Sequence, residues 1–170
     1  FAESAHLASE LEDTNTRRRG IEAELAEVAS AQAEQVFKGQ RALVVAGEGW
    51  HEGVKGIVAS RLANRYGVPT LLFTIEGDEA HGSGRSVGEV NLFQAVSSCQ
   101  DILVRFGGHH AAVGVTLKAD KISEFTERLC NYMDALPPED FIPRIDVDAS
   151  LDLGELTMAN VEKLDLLAPF

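Results

Sequence analysis

Apolar residues recur at helical spacing through the first 37 positions, at Leu7, Leu11, Ile21, Leu25, Val28 and Val36. Alanine and glutamate, both good helix formers, fill the positions between them. The pattern predicts one long helix over 1–37, roughly 50 Å long at 1.5 Å per residue. Gly20 is its weak point. The polar cluster Asn15, Arg17, Arg18 and Arg19 interrupts the apolar stripe. Such a cluster is either a solvated helix face or an arginine turned toward a substrate. The period changes after Gly39-Gln-Arg. Ala42 to Ala46 is a short, β-rich apolar run and predicts a buried strand. A glycine-rich connection, Gly47 to Gly53, leads into a helix over Val54 to Tyr66. Gly67 is placed to stop that helix, with Pro69 just beyond. Thr70 to Ile75 predicts a second strand, so strand, helix and strand form a right-handed parallel crossover.

Glu76-Gly-Asp-Glu reads as a turn and His81 to Val87 as a strand. Asn91 is a helix N-cap for Leu92 to Cys99. Ile102 to Phe106 predicts a strand leading into a glycine-histidine turn, with Val113 to Leu117 as the exit strand. Asp120 then caps a helix that carries Ile122, Phe125, Leu129, Tyr132 and Met133 on one face. Leu136-Pro-Pro ends it. Beyond the prolines, Ile142 to Val147 predicts a strand and Thr157 opens a short helix. The fold class is therefore α/β, a mixed sheet flanked by helices and preceded by a long N-terminal connecting helix. Three parts are expected: a connecting helix over 1–38, a substrate-binding domain over 39–136, and over 137–170 the start of a following domain or a surface strap.

Hydrophobic residues make up 45% of the 170, which supports one medium domain with a real core. Cys99 and Cys130 are too few for a disulfide scaffold and lack metal-ligand spacing, so a reduced, cytoplasmic chain is expected. Both sit on apolar helical faces and are expected to be buried rather than nucleophilic. No apolar run approaches a membrane span, and the start has no basic segment of a signal peptide. Beginning at Phe1 and ending on Ala-Pro-Phe170, the chain reads as a piece of a longer one. The net charge of −12 argues against a broad basic face for polyanions. The acid sits mostly in the flanks: residues 1–40 carry 4 basic and 8 acidic side chains and 137–170 carry 2 and 8, against 9 and 11 in the middle. A focused phosphate pocket remains compatible with that distribution.

Three runs carry candidate chemistry. In Arg105-Phe-Gly-Gly-His-His-Ala-Ala-Val-Gly114, glycine permits close approach, and successive N–H groups in such a turn can cradle an anion. Arg105 and His109 are suited to grip a phosphate beside it. A lone Gly-Gly would be read as a tight turn. The second run, His81-Gly-Ser-Gly-Arg-Ser86, moves the balance toward a phosphate site. Ser83 and Arg85 lie two residues apart on a strand, so both side chains point the same way and suit a terminal phosphate. In the third run, Gly49-Trp-His-Glu-Gly53, a histidine opening a helix could bring its ring and the helix N-terminus to one anion. Trp50 as core and His51 as its satisfied neighbour is the equal alternative. In the middle region, 41–136, scattered acids and the lack of His-x-x-x-His or Asp-x-Asp leave no complete metal centre or catalytic set. No Walker-type loop or dinucleotide fingerprint occurs.

These motifs, with the helix Leu11 to Arg19 and the tail from Ile145 to Phe170, resemble the DHH-associated domain of the RecJ family of single-stranded-DNA-specific 5′-to-3′ exonucleases, within the DHH phosphoesterase superfamily. The resemblance covers nearly the whole chain. It implies a two-part active site. A DHH domain, whose motif is absent here, would hold two Mn2+ or Mg2+ ions and activate water. This chain would close the cleft and hold single-stranded DNA, with no metal of its own and no activity alone. Carried over by motif, Ser83 and Arg85 bind the 5′-terminal phosphate. His109 and the amides of Gly107 and Gly108 sit near the scissile phosphate and stabilise its charge. Trp50 and His51 line the same cleft. His110 receives no role. The tail is similar to the lead-in to an OB-fold domain. Alternatives are part of a DHH-family phosphodiesterase for short oligonucleotides or dinucleotides, or a stand-alone nucleic-acid-binding module.

Overall fold

The computed structural model describes residues 2–145, 147–148 and 150–168. Phe1 of the expected first helix, Asp146 of the expected 142–147 strand, and Pro169 and Phe170 lie outside the described residues. Ten regular elements follow in order: α1 (Ala2–Val36), β1 (Leu43–Glu48), α2 (Glu52–Tyr66), β2 (Thr70–Glu76), β3 (Glu79–Arg85), α3 (Leu92–Ser97), β4 (Leu103–His109), β5 (Ala112–Lys118), α4 (Ile122–Asp134) and α5 (Met158–Glu162). The strands form one mixed sheet in the order β1-β2-β3-β5-β4. β1 and β2 are parallel, as a helical crossover between them requires, and the other pairs are antiparallel. No helix among the described residues is long and apolar enough to cross a membrane.

Strand alternation divides the core into two layers. On one face Leu43, Val45 and Leu72 meet Leu25, Ala29 and Ala33 of α1 and Val54, Val58 and Leu62 of α2. On the other, Leu71, Phe73, Val113, Val115 and Leu117 meet Leu92, Ala95 and Val96 of α3 and Phe125, Leu129 and Met133 of α4. Each large side chain fully buried in this way is worth about 1.5–3 kcal/mol. Gly67 stops α2 in a left-handed conformation at φ 67°, and its N–H bonds the Ala63 carbonyl. Asn91 caps α3 by accepting from the Gln94 N–H, and Thr157 caps α5 through the Asn160 N–H.

Some expectations change. α1 runs through Gly20 without interruption. Its apolar stripe is only partly used: Leu25 is buried with Ala29 and Ala33, whereas Leu7, Leu11, Val28 and Val36 are exposed. Asp120 does not cap α4. It lies in a 3₁₀ turn over Ala119–Lys121, where the Ile122 N–H already bonds the Ala119 carbonyl, and Lys121 takes the cap position without a side-chain bond. No strand forms among the described residues of 142–147, and Ile145 and Val147 stand exposed. Pro143 interrupts that run and removes a ladder donor.

The glycine-histidine turn is displaced as well. Gly107, Gly108 and His109 belong to β4, paired with Gly114, Val113 and Ala112, so the turn itself is His110-Ala111. Gly108 adopts φ 141° against the Ala112 carbonyl, a backbone only glycine takes easily. The hairpin tip is pinned by the Leu92 N–H on the His110 carbonyl and the Ser86 N–H on the Ala111 carbonyl, both at 2.9 Å.

Candidate functional site

α2 packs on β2 and β3, and the same sheet face over β5 and β4 carries exposed residues. The strand register orders that face into rows across the sheet. One row is Thr74, His81, Thr116 and Arg105; the next is Leu72, Ser83, Gly114 and Gly107; the third is Thr70, Arg85, Ala112 and His109. Successive rows are two residues apart, about 7 Å. The middle row ends in two glycines with open space above them: a Cβ on Gly107 or Gly114 would meet nothing within 4 Å. A depression of about 330 Å³ lies here, lined by Glu52, Gly82, Arg105, Gly107, Gly114 and Thr116 among others.

A register irregularity in β4 sets the composition of this face. Leu103 pairs with Leu117, but Arg105 pairs with Thr116, so Val104 is the extra residue of a bulge. The bulge resets the alternation. Leu103 and Phe106 both pack against the core, Arg105 turns onto the glycine-floored face, and Val104 is 55% exposed.

Ser83 and Arg85 form one donor group. The Arg85 Nη1 donates to the Gly84 carbonyl at 2.8 Å and to Ser83 Oγ at 3.3 Å. The guanidinium lies over Gly56 of α2, where any Cβ would collide with it. Among the described residues neither Arg85 nor Arg105 is paired with a carboxylate, unlike Arg18, Arg61, Arg65 and Arg128. His109 is exposed, and its Nδ1 accepts the Ala111 N–H at 3.4 Å. In the neutral ring this places the remaining proton on Nε2.

Trp50 and His51 lie elsewhere. Together with Ile21, Glu24, Leu25 and Val28 they line a separate cleft against α1. The Trp50 ring covers Gly47, and its carbonyl accepts from Thr74 Oγ1 at 2.9 Å. His51 is the N-cap of α2, with Nδ1 accepting the Gly53 N–H at 3.1 Å. Arg17, Arg18 and Thr14 approach His51 from α1 on that side. Arg18 is occupied by Glu22, 2.7 Å away, which also pairs with Arg61 and is 5% exposed. The arginine cluster thus contributes a clamp between α1 and α2.

Sequence reasoning missed Lys55 and Glu52. Lys55 is fully buried between α2 and the sheet, and its ammonium donates to Glu52 Oε1 and to the His81 carbonyl. The available signal was its position, in helical register with the buried Ala59 and Leu62. His81 Nδ1 and Thr116 Oγ1 meet at 3.3 Å beside it. Among the described residues no three His, Cys, Asp or Glu side chains group to hold a metal ion. Burial pushes the Cys99 and Cys130 thiols up, away from the thiolate form a nucleophile needs.

Residues 39–135 match the DHHA1 domain family. The single-stranded-DNA-specific exonuclease RecJ of Bacillus subtilis is 38% identical over 99% of this chain, which spans 22% of that relative. RecJ of Dickeya dadantii is 33% identical over 96% of the chain, or 30% of the relative. The crystal structure of Thermus thermophilus RecJ in complex with Mn2+ superposes with a TM-score of 0.79 at 29% identity, covering 99% of this chain and 25% of that one. The same enzyme in complex with Mg2+ gives the same TM-score.

Proposed function

This chain belongs to the DHHA1 domain family, and on that premise we propose that it is the substrate-binding portion of a 5′-to-3′ single-stranded-DNA exonuclease of repair and recombination, a cytoplasmic phosphodiester hydrolase. The observation that carries the reading is the bare glycine floor of Gly107 and Gly114, with Arg105 in the row on one side and Arg85 and His109 in the row on the other. A sugar-phosphate backbone can approach such a floor more closely than any side-chain-bearing surface. The two guanidiniums, unpaired with carboxylates among the described residues, stand ready to neutralise its phosphates and release the counterions condensed on them.

Within this reading Ser83 and Arg85 take the 5′-terminal phosphate. The hydroxyl and the guanidinium are already grouped, and the packing of Arg85 over Gly56 reduces the rotamer entropy lost on binding. His109 presents Nε2–H toward the scissile phosphate, and the Gly107 and Gly108 amides belong to the same subsite. Trp50 and His51 extend the contact surface toward α1. Residues 39–136 form the binding domain, 1–38 the connecting helix and 137–170 the lead-in to a following domain. Among the described residues no three His, Cys, Asp or Glu side chains group to hold a metal ion. In this reading Mn2+ or Mg2+, as seen with the Thermus thermophilus relative, is held by a DHH domain of the parent chain, and this portion is inactive alone.

The test is fluorescence anisotropy of short single-stranded DNA with 5′-phosphate or 5′-hydroxyl ends. Arg85→Ala is expected to weaken binding of the phosphorylated strand by roughly tenfold or more, the size of a charge-assisted hydrogen bond. The hydroxyl-ended strand should change far less. Equal loss for both ends refutes the end-recognition role.

A further inference from the structure

A glutamate bordering a trough for a polyanion is electrostatically misplaced, and a fully buried lysine beneath it calls for an explanation. Glu52 lines the depression on the α2 side, and its side chain is 63% exposed. Lys55, one turn further along α2, has a fully buried side chain, and its ammonium has two partners, Glu52 Oε1 and the His81 carbonyl. An ammonium carries three donors, so one is left for a further acceptor. Glu52 can swing into solvent easily because it is exposed; Lys55 cannot follow. Once Glu52 leaves, the buried ammonium needs another anion, because a buried charge stripped of its partner is strongly unfavourable.

We infer that the Lys55 ammonium is a latent phosphate subsite of the trough, with Glu52 as its resident counter-anion that an incoming phosphodiester displaces. The inference deepens the DNA-binding reading and rests on it for the identity of the phosphate. Arg105 lines the same depression, so the displaced position would have a second cation nearby. The carboxylate holds the Lys55 ammonium in place while the trough is empty. It also discriminates, since a weak or solitary anion must compete with Glu52, whereas a DNA strand held at neighbouring phosphates supplies a high local concentration. Charge reversal at the trough edge thus occurs only when substrate is present. This turns an apparent repulsion into a selectivity device.

Four proteins test it: wild type, Glu52→Gln, Lys55→Met and the double variant. Methionine keeps the length and apolar stem of the buried lysine, and circular dichroism melting checks that each variant folds. Binding of 5′-phosphorylated single-stranded DNA is followed by anisotropy. Inorganic phosphate is titrated in parallel and read as a shift in melting temperature. If the subsite exists, Glu52→Gln tightens DNA binding by about fivefold, the size of one charge contact in water, and Lys55→Met weakens it. The decisive outcome is coupling: the gain from Glu52→Gln disappears in the Lys55→Met background. A gain of equal size in both backgrounds means that Glu52 merely repels DNA, and overturns the proposal. The phosphate arm separates failure of the subsite from failure of the DNA reading. Phosphate stabilising Glu52→Gln but not the double variant supports the subsite even if no protein binds DNA. Phosphate stabilising both equally, or neither, overturns it. Should Lys55→Met fail to fold, Lys55→Gln replaces it with the same expected outcomes.

Discussion

Replacing Gly114 by valine separates the binding role of the glycine floor from any role in the fold. Glycine within a strand ordinarily costs about 0.5–1 kcal/mol relative to alanine, through the entropy of the unfolded chain. At Gly114 nothing offsets that cost internally: a Cβ would meet no atom within 4 Å, and φ lies outside the left-handed region. Valine also suits the strand conformation. Gly114→Val should therefore raise stability by about 0.5–1 kcal/mol, or the melting temperature by about 1–4 °C for a chain of this length. In the trough the effect is opposite. The valine stands in the middle row between Ser83 and Gly107 and keeps a sugar-phosphate backbone off the floor. Losing one charge-assisted contact there costs about 1.5–3 kcal/mol, roughly tenfold or more in affinity. Differential scanning calorimetry and anisotropy on the same samples measure both. A stable variant that binds DNA as well as wild type refutes the assignment of the trough. A destabilised variant refutes the claim that the glycine is free of internal packing. Gly108→Ala is the contrasting control, because φ 141° and the Ala112 carbonyl oppose a side chain there; it should destabilise by about 1–3 kcal/mol.

Two further predictions concern the scaffold. The Arg41 guanidinium donates to the Leu136 carbonyl at 2.7 Å and the Pro137 carbonyl at 3.3 Å and stacks 4.0 Å from the centre of the Phe141 ring. Arg41→Ala should lower stability by about 2 kcal/mol, and urea melts showing less than a quarter of that would contradict the strut. Asp101 is held below its ordinary value of 3.8 by its hydrogen bond from Arg128, and Glu124 below 4.5 by its bond from Lys121, with Arg128 adding to it. Depressed carboxylates stabilise the fold above their unfolded values, and that stability is lost as pH falls through the folded ones. Arg128→Ala should therefore lower the melting temperature at pH 7, and the gap to wild type should close as pH falls through the depressed values of Asp101 and Glu124; a gap that stays constant on acidification would rule the network out as its cause.

Local residue chemistry alone determined most of the elements of this protein. The period-2 and period-3.6 runs located the helices and strands, and Gly67, Asn91 and Thr157 marked helix ends because capping needs only the residue and its near neighbours. The DHHA1 resemblance was legible for the same reason, since its motifs are contiguous. Tertiary structure decided what depends on distant partners. Whether Leu7 and Leu11 are covered depends on how far the sheet reaches along α1. The run from Ile142 has strand-like residues but pairs with no strand among its described residues. The Gly107-Gly108 pair, read as a turn, lies in β4 because pairing with Val113 and Gly114 satisfies its backbone at no steric cost. The bulge at Val104 is invisible in a strand's own sequence, since it exists only relative to β5, yet it alone places Arg105 on the glycine-floored face. Lys55 shows the same limit. A lysine in helical register reads as solvated surface until the packing of α2 on β3 buries it, and only then does Glu52 become its necessary partner. Short-range conformational preference is carried by each segment, whereas register, burial and charge pairing are properties of the assembled chain.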